Sequence, residues 1–403
     1  MVDYSELMEI LSMPRPNGSP AERNTAKRLY AWLSRQGIPY QIQAFRSYPH
    51  FFEAIGIWLI VSRTLLALAV WMRWGWYCLI IAGIGLVGGT LDVAFHIPTI
   101  SRIGSGRGEN ILLTFSPDHP KQELILSAHY DTKTEWLDHR QRMFLLKSLR
   151  FGIALSLLLG ILGPLDQWLS ASASPLAGAS YAISSILTLP LLFLAWGLGL
   201  NLSTGRLLPQ SQGAVDNGSA CAILLGLGER LNTGELSLGQ TQVTLALFTG
   251  EEVNMQGSRA YVRQRDWPLP TAALNLEVMA QDGDYVYWEQ DGTVFDLRPA
   301  SQELNTAITE AVMALTGKPA QAAGPITSDG GSFLSAGIPG TTLGTYHSRL
   351  IDTGFHRASD NLERVVMDRL PEGVEILTCI LKKFDQGGLQ CAKSSQPLSS
   401  FSL

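Results

Sequence analysis

The sequence predicts a mixed α/β fold, with a mostly parallel sheet flanked by helices and with transmembrane helical hairpins inserted in loops. Short apolar strands alternate with helix-like segments, a pattern typical of a parallel sheet covered by helices. Two long apolar blocks interrupt this alternation. Only 16% of the 403 residues are charged, against about 25% in an ordinary soluble protein, which favours a membrane protein.

The sheet is predicted from four short apolar segments of strand character, which are Glu123–His129, Val243–Thr249, Ala272–Met279 and Thr341–Thr345. Helical spacing of apolar residues predicts the covering helices, which are Ser219–Leu231, Gly257–Gln264, Gln302–Leu315 and Glu372–Phe384. Residues 5–36 are predicted to form two further helices around a turn rich in Pro and Gly.

The first apolar block, 51–98, contains the charge-free run Trp74–Leu91 and a second apolar stretch that Arg63 interrupts. The second block, 143–204, contains the apolar runs Phe151–Leu165 and Tyr181–Leu200, joined by a connection over 166–178. About 20 apolar residues span a bilayer. We therefore expect four crossings, or two if the segment around Arg63 lies flat on the membrane; two buried helices of a large soluble domain are the alternative for the second block.

The blocks divide the chain into predicted parts: N-terminal helices over 1–50, a hairpin over 51–98, the first strands over 99–142, a hairpin over 143–204, the main domain over 205–392 and a tail over 393–403. The net charge is −5 and no run is rich in Lys or Arg, so we expect no nucleic-acid partner. The four cysteines are scattered and the first fifty residues contain no signal-peptide pattern, which favours a reducing compartment.

Candidate ligands follow the predicted strands. His129 and Asp131 come at the end of one strand, Asp216 precedes a helix, and Glu251 and Glu252 follow another strand. Open α/β sheets build their sites at such strand ends. Taken alone, Asp216 is equally well explained as a helix N-cap, whereas two adjacent carboxylates favour a metal over a solvated turn because they repel each other without a cation.

Glu277 lies among apolar residues of a predicted strand, and His356 lies in a loop. An acid in an apolar strand needs a partner, whereas a single loop histidine is usually only a surface residue. Together, however, His129, Asp216, Glu252, Glu277 and His356 follow successive elements of one sheet. Nitrogen and carboxylate oxygen are the donors that a two-metal site requires.

The motifs HYD, GAVDNGSA, FTGEE with GSRAYV, NLE, SDGGSFLSAGIP and FHRASDNLERV appear in this order. In this order they resemble the zinc aminopeptidase family, peptidase family M-twenty-eight. The segment PRPNGSPAERNTAKRLYAWLSRQGI is similar to the first helices of that family. The resemblance covers most of the chain outside the apolar blocks and implies a zinc aminopeptidase-like fold.

The resemblance implies two Zn²⁺ ions per chain. His129 and Glu277 would hold one ion, Glu252 and His356 the other, and Asp216 would bridge them. Glu251 would act as the general base that takes a proton from the bridging water and passes it to the leaving amine. Asp131 would orient His129 through its second ring nitrogen, a common arrangement at zinc sites.

The sequence departs from the family pattern at several positions. Glu277 stands where Asp is more usual, and Phe355 replaces a Tyr before the last histidine. His347, preceded by Tyr346, is a competing alignment for His356, which we prefer because DNLE follows it. Gly330 replaces a bulkier residue, which leaves the role of Asp329 open.

Because His129 and Asp216 must meet at one metal, the second block has to leave and re-enter on the same side of the membrane. Basic residues flank this hairpin on that side and are absent from 166–180: Arg140, Arg142, Lys147, Arg150 and Arg206. The positive-inside rule then predicts a multi-pass membrane protein with a cytoplasmic catalytic domain.

The expected function is membrane-bound aminopeptidase activity, with a peptide substrate and the lipid bilayer as partners. A glutaminyl-cyclase-like acyltransferase with one zinc is an alternative on the same fold. The third alternative is a non-enzymatic membrane scaffold, which the presence of all five ligand residues disfavours.

Overall fold

The computed structural model describes residues 2–102, 104–293, 295–346 and 354–387. The chain divides into two compact units. The sheet unit comprises Met1–Pro49, Gly106–Lys133 and Gln210–Leu403, and the helical unit comprises His50–Ser105 and Thr134–Pro209. The predicted tail over 393–403 and the alternative ligand His347 lie outside the described residues.

The described strands are β1 Gln41–Ser47, β2 Gly106–Phe115, β3 Gln122–His129, β4 Thr241–Phe248, β5 Thr271–Glu277, β6 Asp284–Thr293, β7 Asp296–Pro299, β8 Gln321–Ile326 and β9 Gly340–Tyr346. The described α-helices are α1 Tyr4–Leu11, α2 Pro20–Arg35, α3 Phe51–Trp71, α4 Trp76–Val93, α5 His139–Ala171, α6 Ala177–Ser203, α7 Ala220–Thr233, α8 Gln256–Gln264, α9 Gln302–Thr316, α10 Gly330–Ser335 and α11 Arg369–Asp385. Short helical turns cover Gly205–Leu207, Ala214–Ser219 and Leu362–Arg364.

All described strands belong to one sheet of order β1-β2-β4-β3-β5-β9-β6-β7, with β8 paired to β6. The four central strands β4, β3, β5 and β9 are parallel. Their ends lie close to one another along the sheet edge, since His129 pairs with Phe248 and Glu277 with Gly344. The carboxyl ends of these four strands therefore open at a common edge, the usual place for a site in such sheets.

The mixed α/β fold class predicted from the sequence is confirmed. The four predicted strands are the four central parallel ones. The strands that were not predicted lie to either side: β1, β2, β6 and β7 supply the antiparallel pairs, and β8 pairs with β6 in parallel. Sequences such as GRGENILLTF and DYVYWEQDGT mix charged and apolar residues, because outer strands are less completely buried than β5, whose seven residues are all buried.

Both faces of the sheet are covered by apolar clusters. On one face, Leu124, Leu126, Leu274 and Leu276 pack in a large core cluster that also contains residues of α1, α2, α7, α9 and α11. On the other face, Phe248 packs against Tyr261 of α8 and Phe333 of α10, with ring centroids 5.5 and 6.2 Å away. Toward the strand ends this second face becomes polar and carries Asn275, Glu277 and His129, so a polar site rests on a packed apolar base.

The helical unit contains four helices that are long and apolar enough to cross a membrane. Helix α3 continues through Arg63, whose side chain is buried within the unit and donates to Ser62 Oγ over 3.0 Å. Helix α5 begins at His139, before the apolar run, after a capping box formed by Asp138 and Gln141.

The connection between α5 and α6 was predicted over 166–178, but it begins later than predicted. Helix α5 continues to Ala171, and α6 begins at Ala177. Asp166 is accommodated inside the helix because its carboxylate accepts hydrogen bonds from the hydroxyl groups of Ser180 and Ser184 on α6. A buried acid whose oxygens are hydrogen-bonded does not need a loop or solvent.

Candidate metal centre

The metal centre lies where β3, β4 and β5 end. His129 is the last residue of β3, and Glu277 is the last residue of β5. Glu251 and Glu252 follow β4 after a turn at Gly250, whose φ of +79° lies in the left-handed region that favours glycine. Parallel strands that end at one edge thus bring carboxylates and an imidazole together.

Asp216 stands between the two histidines. Its Oδ1 lies 3.3 Å from His129 Nε2, and its Oδ2 lies 3.4 Å from His356 Nε2. Asp216 has non-helical φ and ψ of −108° and 89°, and α7 begins only at Ala220 with no side-chain cap. The helix N-cap alternative for Asp216 therefore does not describe this structure; its carboxylate faces two imidazoles instead.

Each histidine also faces a glutamate. His129 Nε2 lies 3.1 Å from Glu277 Oε1, and His356 Nε2 lies 3.1 Å from Glu252 Oε1. The five side chains therefore form two groups of three, which share Asp216. We call them the first half-site, formed by His129, Asp216 and Glu277, and the second half-site, formed by His356, Asp216 and Glu252.

These distances fit metal coordination. Ligands bound about 2.0–2.1 Å from a tetrahedral zinc ion lie about 3.3 Å from one another, and the four nitrogen–oxygen pairs are 3.1 to 3.4 Å apart. His129, Asp216 and Glu252 also form a buried group whose ligand atoms all lie within 4.8 Å of one another. The donor types and their spacing support zinc binding at this place.

The charge balance also favours a cation. Glu252 Oε1 is buried and accepts no hydrogen bond from the described residues. Burial raises the pKa of Glu277, although His129 opposes the shift. Burial lowers the pKa of His129, but Glu277, Asp131 and Asp216 outweigh that effect and raise it well above its ordinary value. Such a surplus of buried carboxylates is stabilised by a bound divalent ion.

Glu251 points into the same site without joining either half-site. Its Oε2 lies 4.0 Å from His129 Nε2, which is longer than any contact within the two half-sites. Burial raises the pKa of Glu251 well above its ordinary value; His129 opposes the shift, and Glu252 and Glu277 add to it. A carboxylate beside a metal site is suited to accept and return a proton.

Asp131 connects three parts of the site. His129 Nδ1 lies 3.2 Å from the backbone oxygen of Asp131 and 3.6 Å from its Oδ1. The same carboxylate accepts hydrogen bonds from the backbone N–H groups of Glu251 and Glu252, both at 3.3 Å. The side chain thus holds the two glutamates in place, while the backbone of Asp131 is the closer partner of the histidine ring.

The loop that carries Asp216 is held by two buried charged residues. Asp360 Oδ1 accepts from Val215 N over 2.8 Å, and Oδ2 accepts from Asp216 N over 3.1 Å. Arg15 is fully buried and donates to the carbonyls of Tyr130, Met13, Gln212 and Gly213. Sequence reasoning did not single out Arg15. The available signal was its position between two prolines beside a predicted helix.

Two asparagines that sequence reasoning missed hold Glu277. Asn217 Nδ2 donates to Glu277 Oε2 over 3.1 Å, and Asn275 Nδ2 donates to the same oxygen over 3.4 Å. Asn217 also receives a hydrogen bond from Val278 N at 3.1 Å. The only sequence signal was the presence of both residues in the motifs GAVDNGSA and NLE.

Asp329, whose role the sequence left open, lies at the start of α10. It is fully buried, and its carboxylate interacts with the hydroxyl group of Ser258. Burial raises its pKa to about 7, and His129 opposes this shift. Asp329 is therefore a further buried acid with a raised pKa, and it interacts electrostatically with His129 of the candidate metal centre.

Fold and site together define an α/β protein in which histidines and carboxylates that could hold a metal ion lie at the ends of parallel strands. Residues 202–377 match the model of Peptidase family M28. No curated protein matches the chain. The family match covers 176 of the 403 residues and makes this part of the chain similar to that family.

Solved structures share the fold at low sequence identity. An aminopeptidase from Aneurinibacillus sp. strain AM-1 has a TM-score of 0.54 at 12% identity, covering 94% of this chain and 92% of that one. A Zn-dependent exopeptidase from Parabacteroides distasonis has a TM-score of 0.53 at 13% identity, covering 94% and 96%. A glutaminyl cyclase from Porphyromonas gingivalis has a TM-score of 0.54 at 14% identity, covering 94% and 96%. The fold is thus shared by enzymes of two reaction types.

Proposed function

We propose that this chain is a membrane-bound aminopeptidase that binds two zinc ions and hydrolyses N-terminal peptide bonds. The observation that carries the proposal is the position of Asp216, whose two oxygens face the Nε2 atoms of His129 and His356 at 3.3 and 3.4 Å. A carboxylate that faces two imidazoles, each beside its own glutamate, has the donors to bridge two ions.

Zinc ions bound in the two half-sites would polarise the scissile carbonyl and lower the pKa of a water molecule. Glu251 takes the proton from the attacking water and delivers it to the leaving amine. Its raised pKa supports this exchange, because a base must also release the proton within each turnover. Asp131 keeps Glu251 beside Glu252 through the two backbone hydrogen bonds, so the base stays close to the ligands.

A glutaminyl-cyclase-like reaction with one zinc is the second candidate, and the structural likeness to a glutaminyl cyclase from Porphyromonas gingivalis favours it. One half-site alone offers three donors, since His356 Nε2 lies 3.4 Å from Asp216 Oδ2 and 3.1 Å from Glu252 Oε1. A single ion would then occupy one half-site.

Metal analysis combined with a comparison of substrates separates the candidates. We expect two zinc ions per purified chain, cleavage of a peptide with a free N-terminus and no cleavage of the same peptide after N-acetylation. One zinc ion together with formation of a cyclic N-terminus from a glutaminyl peptide would instead establish the second candidate. A protein that binds no zinc and converts neither substrate would be a scaffold.

The bilayer is proposed as the partner of the helical unit. Exposed aromatic residues gather where α3 ends and α4 begins and near the end of α5, with exposures of 40 to 64%: Trp71, Trp74, Trp76, Tyr77 and Trp168. Aromatic side chains of this kind are typical of the membrane–water interface. Together with four helices of sufficient length and apolarity, they support four crossings, with the connection between α5 and α6 outside the cytoplasm.

A reporter inserted in the connection 172–176 tests this orientation. Because the basic residues lie at the start of α5 and after α6, we expect alkaline phosphatase at this position to be active, which requires export. The same reporter fused at the carboxyl terminus serves as the control, and we expect it to be inactive. Activity at the carboxyl terminus with none at 172–176 would reverse the proposed orientation.

A further inference from the structure

We propose that Asp291 is a positioning residue for the first half-site, acting on Glu277 through a directed chain of hydrogen bonds that passes through Ser328 and Asn275. The inference rests on the proposed function, since it explains how one ligand of the two-zinc site is oriented. Asp291 lies on β6, away from the strand ends that carry the ligands.

The chain begins at the carboxylate of Asp291, which is 1% exposed. Its Oδ2 accepts hydrogen bonds from Ser328 Oγ at 2.5 Å and Thr342 Oγ1 at 2.8 Å, and its Oδ1 accepts from Ser328 N at 2.9 Å. Among the described residues no lysine, arginine or histidine forms an ion pair with it. A buried acid held only by neutral donors costs stability. The presence of an acid at this position is therefore better explained by a role in the site than by packing.

Ser328 donates a hydrogen bond to Asp291 and accepts one from Asn275, so it links the two side chains in one orientation. A serine hydroxyl has one proton to donate, and here that proton goes to Asp291. The oxygen of Ser328 is therefore left to accept, and it receives a hydrogen bond from Asn275 Nδ2 at 3.1 Å. The carboxylate thus determines which way the serine hydroxyl points.

Asn275 links Ser328 to the candidate ligand Glu277, because its amide nitrogen donates to both. Its Oδ1 accepts from Ser127 Oγ at 2.9 Å, and its Nδ2 faces both Ser328 and Glu277 Oε2, the latter at 3.4 Å. If the amide were reversed, its oxygen would face the carboxylate of Glu277 and repel it. With the amide held this way, Glu277 Oε2 is bound and Oε1 remains beside His129 Nε2 at 3.1 Å.

Gly330 provides the space for this arrangement. A Cβ atom at Gly330 would lie 2.5 Å from Thr342 Oγ1 and 2.6 Å from Asp291 Oδ2, closer than side-chain atoms can approach. The two departures from the family pattern, Glu277 and Gly330, are therefore linked through one residue. A bulkier residue at position 330 would displace the side chain of Asp291. With glycine at this position, Asp291 can orient Asn275, whose hydrogen bond holds the longer side chain of Glu277.

The first experiment measures zinc binding by Asp291→Asn, which keeps the shape but can donate to Ser328. We expect chelator competition to show one of the two ions bound about 10-fold more weakly, the lower end of the effect of removing a direct partner of a metal ligand, because Asp291 acts through two side chains. The other ion should be unchanged. Gly330→Ala should weaken the same ion because its methyl group displaces Asp291. Gly324→Ala, where a Cβ meets nothing within 4 Å, is the matched control.

A double-mutant cycle with Asn275→Ala tests whether Asp291 acts through Asn275. In metal-free protein, we expect the two substitutions to shift the midpoint of thermal unfolding by less together than the sum of their separate shifts. Additive shifts, or unchanged affinity for both ions in Asp291→Asn, would overturn the inference. A wild-type protein with one zinc ion would contradict the proposed function instead, and the cycle would still decide whether the chain of hydrogen bonds exists.

Discussion

Glu251→Gln is expected to lower peptide hydrolysis by about 10²- to 10⁴-fold, the usual contribution of a general base, while zinc remains bound. Glutamine has nearly the same shape as glutamate but cannot accept the proton of the attacking water. Zinc binding should persist because Glu251 is outside both half-sites, with its Oε2 4.0 Å from His129 Nε2. Steady-state kinetics and metal content, measured on the same preparation, check both parts of the result.

Two comparisons make this result specific. Glu289→Gln makes the same chemical change at an exposed residue of β6, and we expect it to retain full activity. Turnover by Glu251→Gln close to that of the wild type would eliminate Glu251 as the base. Loss of zinc from the variant would show that Glu251 is a ligand, and the roles of the two adjacent glutamates would have to be reassigned.

Asp216→Ala is expected to remove both zinc ions and with them all hydrolysis. Its carboxylate is the only group shared by the two half-sites, so its removal leaves each of them with one histidine and one glutamate. Three protein ligands are the usual minimum for a catalytic zinc ion. Metal content after dialysis should fall from two ions per chain to none.

Folding of the variant has to be checked separately. Asp216 does not cap a helix, and Asp360 binds backbone groups of Val215 and Asp216 that alanine retains, so we expect the metal-free variant to unfold at the temperature of metal-free wild type. Asp216→Asn keeps the shape and should also lose at least one ion. Asp118→Ala, at an exposed turn, is the control, and two ions in Asp216→Ala would refute the bridging role.

The sheet was predictable to the extent that its strands are apolar. The central strands β3, β4, β5 and β9 are buried along almost their whole length and stand out as short apolar runs, whereas β2 and β6 contain charged residues and were missed. The apolar run before Asp166 also led to the incorrect prediction that α5 ends at Leu165. Hydrogen bonds from Ser180 and Ser184 on another helix, which the local sequence does not show, allow the helix to continue.

The candidate ligands were chosen from residue type and from position after strands. The structure brings His129, Asp216, Glu252, Glu277 and His356 into contact. Sequence reasoning did not find Asn217, Asn275 or Asp291, because neutral amides carry no distinctive pattern and Asp291 lies among polar residues of a strand that was not predicted. Their importance depends on which atom of Glu277 they face, and this depends on residues from separate segments of the chain.

Four features of this protein can be read from its amino-acid sequence: the kinds of donor, their order along the chain, the central strands that carry them and the apolar segments that interrupt those strands. These are properties of local stretches, since burial and donor chemistry are encoded residue by residue. The folded chain is needed to see which glutamate faces which histidine and that the two oxygens of Asp216 face different histidines. It is also needed to see that Asp291 reaches Glu277 through two neutral side chains. Contacts of 3 to 4 Å depend on strand register and loop paths, which join residues that are distant in sequence.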